Sequence, residues 1–161
     1  MSEGAPTDDL RHELSLMLRR LTVEVDAMGA RFADVHGLGR TDLRALVAIM
    51  DAARGGSALT AGGLGAAVDL SSASVTALVD RLERAGHVHR VRDADDRRRV
   101  VLEMTPTTMA SGATFFGGLQ RDLVAAMDHY SDDELAVVRR FLAEMTDVVV
   151  AHQRPDPPGG E

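Results

Sequence analysis

"LVDRLERAGHVHRVRDADDRRRVVLEMT", residues 78–105, changes period halfway along, and that change decides the fold class. Before Gly86 the apolar residues recur at helical spacing. Val75, Leu78, Val79 and Leu82 fall within one narrow arc at about 100° per residue, which predicts a helix over 71–85 with that face turned inward. A serine opens it, and Gly86 stands where a left-handed residue closes a helix. From His87 the pattern alternates instead. Residues 87–92 and 99–103, with Val88, Val91, Val100 and Leu102 as the apolar positions, predict two strands around a polar turn. The stretch therefore reads as a helix followed by a β-hairpin with a charged tip.

The charge of this stretch departs from that of the chain. Between residues 80 and 99, seven arginines (81, 84, 90, 92, 97, 98 and 99) meet five acids, a net +2 in a protein whose total is −7. All 18 basic residues other than histidine are arginine, so each positive site is a planar, multi-donor fork. The overall charge argues against indiscriminate binding to nucleic acid. It leaves room for a local basic surface, because the field over one face depends on local charge. The outward arc of the 71–85 helix carries Ala73, Thr76, Ala77, Asp80, Arg81 and Arg84. Small residues let a helix enter a major groove, hydroxyls bond base edges or phosphates, and arginines farther along hold phosphates. An arginine-tipped hairpin beside it suits the negative potential of an adjacent minor groove. The alternative is an ordinary solvated helix face with a good cap.

Working outward, residues 7–35 read as one long helix, capped by Thr7 and started by Asp8 and Asp9. Leu10, Leu14, Met17, Leu18, Leu21, Val25, Met28 and Phe32 form its single apolar stripe. A second helix runs from Thr41 to the Gly55-Gly56 break, carrying Leu43, Leu46, Val47 and Met50. Leu59 begins a short strand and Thr60 caps a third helix. Gly62, Gly63 and Gly65 weaken that helix by ~1 kcal/mol each relative to Ala. Thr105-Pro106 opens a helix bearing Met109, Phe116, Leu119, Leu123 and Met127, expected to run to about His129. Ser131 and Glu134 form a capping box for a last helix with Leu135, Val138, Leu142, Met145 and Val149. The tail from Pro155 reads as disordered. A helix with one apolar stripe needs a partner for it, so residues 7–35 and 105–152 are expected to pack with each other and with a second copy.

Other classes of function are narrowed by what the sequence lacks. There is no cysteine, which excludes disulfides, thiol chemistry and cysteine-based zinc sites. No nucleophile elbow, P-loop, H-E-x-x-H or dinucleotide fingerprint occurs, so the chain does not read as an enzyme, and no cofactor is implied. Asp93, Asp95 and Asp96 could in principle hold a hard cation, but three arginines follow at once and would repel it. The six histidines raise a metal sensor; His87 and His89 share a strand face but have no evident third ligand. No apolar run approaches the roughly 18 residues of a membrane span. The acidic start lacks the layout of a signal peptide, and a cytoplasmic location without membrane contact is expected.

On these residues the chain resembles the MarR family of winged helix-turn-helix regulators. The "VDRLE…G" helix and the acidic wing bearing Asp96-Arg97-Arg98 carry the likeness, which extends from about Leu38 to Thr105; the flanks match in helix order and length. The resemblance implies a fold that is mainly α with a small β-hairpin wing. A winged helix-turn-helix at 38–104 would lie between an N-terminal dimerisation helix, 1–37, and C-terminal dimerisation helices, 105–153, with 154–161 as a disordered tail. It implies a homodimer acting as a repressor on a palindromic operator in double-stranded DNA, often released by a small hydrophobic or aromatic effector. By position, Ser72, Ala73, Ser74, Thr76 and Ala77 meet the groove, and Asp96 braces Arg98 as it enters the minor groove. Arg81, Arg84 and Arg97 complete the DNA-binding set. Gly63 stands where many relatives place a polar residue, a departure that puts specific contacts by the third helix in doubt. Phe115 and Phe116, beside Gly117-Gly118, mark a candidate effector pocket or else a tight helix crossing. A metal-responsive regulator of the same fold, and a helical interaction module without DNA, are the alternatives.

Overall fold

The computed structural model describes residues 6–93 and 96–153. Within them the order is α1 (Pro6–His36), α2 (Arg40–Arg54), β1 (Leu59–Thr60), α3 (Ala61–Val68), α4 (Ser72–Arg84), β2 (Val88–Arg92), β3 (Val100–Met104), α5 (Pro106–Met127) and α6 (Asp132–Gln153). Asp95 and the segment from residue 154 on fall outside the described residues. No single helix among the described residues is long and apolar enough to cross a membrane.

Each helix start has a local chemical cause. Thr60 Oγ1 accepts the Gly63 amide at 3.1 Å and starts α3; Ser71 Oγ accepts the Ser74 amide at 3.3 Å and starts α4. Thr105 Oγ1 accepts the Thr108 amide at 3.2 Å ahead of Pro106, which opens α5. Ser131 and Glu134 cap α6 reciprocally, the Ser131 amide donating to Glu134 Oε2 at 2.8 Å. Such caps satisfy amides that have no partner within the helix. The first helix begins at Pro6, so Thr7 lies inside it rather than capping it.

The core lies in the middle of the chain. Ala45, Leu46 and Ile49 of α2, Leu64 and Val68 of α3, and Val75, Leu78, Val79 and Leu82 of α4 pack with Val88 and Leu102 of the sheet. Full burial of each such aliphatic side chain contributes about 1.5–3 kcal/mol. A Cβ at Gly65 would stand 3.0 Å from Val75 Cγ2 and 3.2 Å from the Leu70 carbonyl, so glycine there is what lets α3 and α4 approach this closely. Gly86, at φ +76°, makes the left-handed turn from α4 into β2.

The sheet has three strands in the order β1-β3-β2, both pairings antiparallel. Arg90 pairs with Leu102, Val91 with Val101 and Arg92 with Val100; Leu59 pairs with Leu102 on the other edge. The hairpin is thus joined by β1, and β3 becomes a central strand. This corrects the alternation expected for the second strand. Val101 and Leu102 are both buried while Val100 is exposed, as follows when a central strand is covered on both faces. On α2, Val47 is likewise exposed, and Ala45 and Ile49 take the inward positions beside Leu46.

The chain divides after Phe115 into two compact units. In the first, α1 buries Phe32 and Ala33 alone among its described side chains and leaves Leu10, Leu14, Met17, Leu21 and Val25 exposed. In the second, no described residue from Phe116 onward is buried.

Candidate nucleic-acid interface

Helix α4 is split lengthwise. Val75, Leu78, Val79 and Leu82 face the core, which turns Ser72, Ala73, Ser74, Thr76 and Ala77 to solvent. The exposed half is small and hydroxylic. Its hydroxyls are already ordered: Ser74 Oγ lies 2.9 Å from Ser71 Oγ, and Thr76 Oγ1 donates to the Ser72 carbonyl at 3.0 Å.

The arginines separate into two sets. Four are held by the protein itself. Arg81 donates to Asp42 Oδ1 from Nε at 3.2 Å and from NH2 at 2.5 Å. Arg84 Nε donates to the Asp80 carbonyl of its own helix at 3.2 Å. Arg90, on β2, reaches back to α4, pairing with Asp80 at 2.6 Å and with Glu83. The Asp80 hydrogen bond raises the Arg90 guanidinium above its ordinary value; burial opposes this, and the charge of Glu83 adds to the rise. Arg99 donates to the Ala58 carbonyl at 3.1 Å and lies 3.5 Å from Asp93. Arg92, Arg97 and Arg98 form the other set: they are exposed, and their guanidinium groups pair with no side chain among the described residues.

The wing turn explains why Arg97 and Arg98 project. The Asp93 amide donates to the Arg99 carbonyl at 2.9 Å, and the Arg99 amide donates to the Asp96 carbonyl at 2.8 Å. Asp96 Oδ1 accepts the Arg98 backbone amide at 3.0 Å. Asp96 therefore braces the main chain that carries Arg98. The guanidinium partner on the wing is Asp93, which holds Arg99. Short acidic side chains close such turns on their own backbone.

Sequence reasoning missed Asp42, Arg90 and Arg99 as organisers of this surface. Asp42 carried one readable signal: it stands three residues after Gly39 at a helix start, where a carboxylate caps. The Gly39 amide does donate to Asp42 Oδ2, at 2.9 Å.

Behind the wing, α1 and the first turns of α5 enclose two adjoining cavities. The smaller, about 140 Å³, is lined by Phe32, His36, His87, Thr107, Thr108 and Ser111 among others. The wider groove, about 600 Å³, is lined by His36, Thr107, Ala110, Ser111, Thr114 and Phe115. Phe32 stacks on His36 with ring centroids 4.1 Å apart and meets Phe115 edge-on at 5.2 Å. Of the two phenylalanines singled out in the sequence, Phe115 lines the groove and Phe116 lines neither cavity. No group of three or more metal-ligating side chains occurs among the described residues.

The chain matches the sequence profile of the MarR family over residues 36–99. It is 32% identical to the uncharacterized HTH-type transcriptional regulator YcgE of Bacillus subtilis (strain 168), over 92% of this chain and 94% of that protein. Its fold is similar to that of a MarR family protein from Bacillus stearothermophilus, at a TM-score of 0.61 and 25% identity, covering 89% of this chain and 97% of the other. It is also similar in fold to MepR of S. aureus in a MepR–DNA complex, at a TM-score of 0.53 and 18% identity, covering 84% and 98%.

Proposed function

The chain belongs to the MarR family, and from that premise we propose that it acts as a homodimer on a palindromic operator in double-stranded DNA, as a repressor released by a small molecule. The observation that carries this reading is the partition of the arginines. Two exposed guanidinium groups, Arg97 and Arg98, pair with no side chain among the described residues; the Arg98 amide is held by Asp96, and a helix face of small side chains is exposed on α4. The unpaired forks supply charge where a minor groove is negative, and the small face permits close entry to a major groove. MepR, which shares the fold, is known in complex with DNA. The winged part, 38–104, serves as the reading head, and 1–37 with 105–153 serve as the dimerisation helices. Their exposed apolar stripes support the second assignment.

For the effector, the groove at Phe115 is the better site than one centred on Phe116. It combines an aromatic wall with hydroxyls and an imidazole, and so offers both apolar area and hydrogen bonds to a small aromatic ligand. Release requires that the ligand bind one dimer geometry more tightly than the other, typically by about 1–3 kcal/mol. Thiol oxidation cannot be the trigger in a chain without cysteine.

The test is selection of duplexes from a randomised pool by the purified protein. The expected product is an inverted repeat with half-site centres about one turn, ~10 bp, apart. Arg97→Ala with Arg98→Ala should abolish enrichment. A protein that retains no duplex at low salt would overturn the DNA reading. Phe115→Ala should retain operator affinity and lose any ligand response.

A further inference from the structure

The partition of the arginines leaves Arg81 with a role of its own. We propose that Arg81 is a positioning residue: paired with the buried Asp42, it sets the rotation of α4 about its axis as that helix is presented to DNA, and it does not bind phosphate. The inference rests on the DNA-binding reading above.

Asp42 is one of only two buried polar residues among those described, at 6% exposure. Both its oxygens are used, Oδ2 by the Gly39 amide and Oδ1 by two nitrogens of Arg81. Were Arg81 to turn toward a phosphate, Asp42 would be left as a buried carboxylate with a single partner. Breaking a pair in that way is costly, whatever the pair contributes in net terms when closed. Arg97 and Arg98 carry no such commitment, so phosphate reaches them first.

The geometry gives the pair its purpose. Helix α4 sits on the core through Val75, Leu78, Val79 and Leu82. Apolar contact is non-directional and permits a packed helix to roll. The Gly65–Val75 approach fixes one point near its start. Arg81 lies six residues farther, about 9 Å along the axis, and ties the helix to α2 by a directional, two-nitrogen contact across 39 residues of sequence. Two fixed points define a rotation, and the exposed Ser72, Ala73, Ser74, Thr76 and Ala77 lie next to the first of them. A helix free to roll by even ten or twenty degrees would move those side chains out of register with base edges.

The experiment compares Arg81→Ala, Arg81→Lys and Asp42→Asn with the wild type on two probes: a duplex enriched by the wild-type protein from a random pool, and a random-sequence duplex of equal length. All are measured where circular dichroism shows them folded. Loss of rotation should weaken the enriched duplex roughly tenfold, the size of one lost base-pair readout. The random duplex should change by less than about twofold, with an unchanged dependence of log K on log salt. Asp42→Asn decides most sharply, because it removes a negative charge and is still expected to bind the enriched duplex more weakly. Arg81→Lys should resemble Arg81→Ala, since a single ammonium cannot make the fork contact. The role is overturned if Arg81→Ala weakens both duplexes and lowers the salt slope by about 0.9, as for one lost phosphate contact. It is equally overturned if Asp42→Asn binds the enriched duplex as tightly as wild type or tighter, or if both affinities fall together without a change of slope. A wild-type protein that enriches no duplex overturns the DNA reading itself, and this role with it; that outcome is read before any variant is made.

Discussion

Leu82 of α4 is 1% exposed and Leu142 of α6 is 45% exposed, although both stand on apolar stripes of the same helical period. The contrast runs through the molecule. Among the described residues, every buried hydrophobic side chain lies between Phe32 and Leu102, where short helices cross one another and close over a small sheet. The stripes of α1, α5 and α6 are as regular and remain largely uncovered. A stripe states which face of a helix requires burial. It does not state what covers it. In the winged part the cover is the neighbouring helix, a few residues away in sequence; for the terminal helices the proposed cover is a second copy of the chain.

The largest effects should separate these two kinds of burial. Leu142→Asp places a charge on the proposed dimer face twice per dimer, since a two-fold interface repeats each substitution. A buried, unpaired charge costs roughly 3–5 kcal/mol, so sedimentation should show monomer at micromolar concentration or an unfolded chain. An intact dimer of this variant would mean that α6 faces solvent after all. Leu64→Ala strikes the other side of the comparison. It empties a site that is 0% exposed and should cost about 2–5 kcal/mol, depending on how far α3 and α4 relax. Its melting temperature should fall by the same amount at low and high protein concentration. A loss that grows on dilution would place Leu64 in the assembly rather than in the core.

What the sequence disclosed follows the same division. The caps at Thr60, Ser71, Thr105 and Ser131 were legible because each depends on residues three positions apart. The inward face of α4 was legible because four aliphatic residues fix one arc. Val100 was misread because β1, 43 residues earlier than its partner in β3, pairs only with Leu102 and Val101, and Val100 lies beyond that pairing at the exposed end of the strand. Arg81, Arg90 and Arg99 looked like free surface charge for a related reason. Their partners, Asp42, Asp80 with Glu83, and Ala58 with Asp93, are set by how the chain folds back, which local spacing does not encode. Arg98 was placed on the tip by the alternation on either side of the polar turn, and its brace from Asp96 to the main chain is a detail that only coordinates supply.

A smaller effect sharpens the contrast between committed and uncommitted charge on the wing. Arg98→Ala should weaken operator binding by about 1–3 kcal/mol and flatten the salt slope by about one. Asp96→Ala should weaken it less, although it removes a negative charge from a DNA-facing tip. Without Asp96 Oδ1 the Arg98 amide loses its acceptor, and the tip that carries the guanidinium loosens. Bulk electrostatics requires the opposite sign. Tighter binding by Asp96→Ala, measured by fluorescence anisotropy at two salt concentrations, would show that the carboxylate is merely repulsive.

The smallest effect distinguishes the two regions by acid. Helices α3 and α4 are capped by the hydroxyls of Thr60 and Ser71, which do not titrate in the accessible range, while α6 relies on a carboxylate. The Ser131 amide, and then its hydroxyl, donate to Glu134 and hold its carboxyl below the ordinary value of 4.5. A carboxylate depressed in the folded state stabilises above its unfolded value, and that contribution is lost as pH falls through the lower, folded value. The first turn of α6 should therefore loosen only below pH 4.5, and before α4 does. Amide exchange across a pH series reads this directly: the Ser131 amide should lose protection on acidification while the Ser74 amide keeps it. Asp132 and Asp133 are acidic residues of the same turn and act on the same helix end, so Glu134→Gln is the necessary control. It retains an acceptor for Ser131 and removes the charge, and the exchange of the Ser131 amide should then lose most of its dependence on pH. If wild type and Glu134→Gln respond to acid alike, the charge of Glu134 does not set the acid response of α6, and its side chain serves only as a hydrogen-bond acceptor.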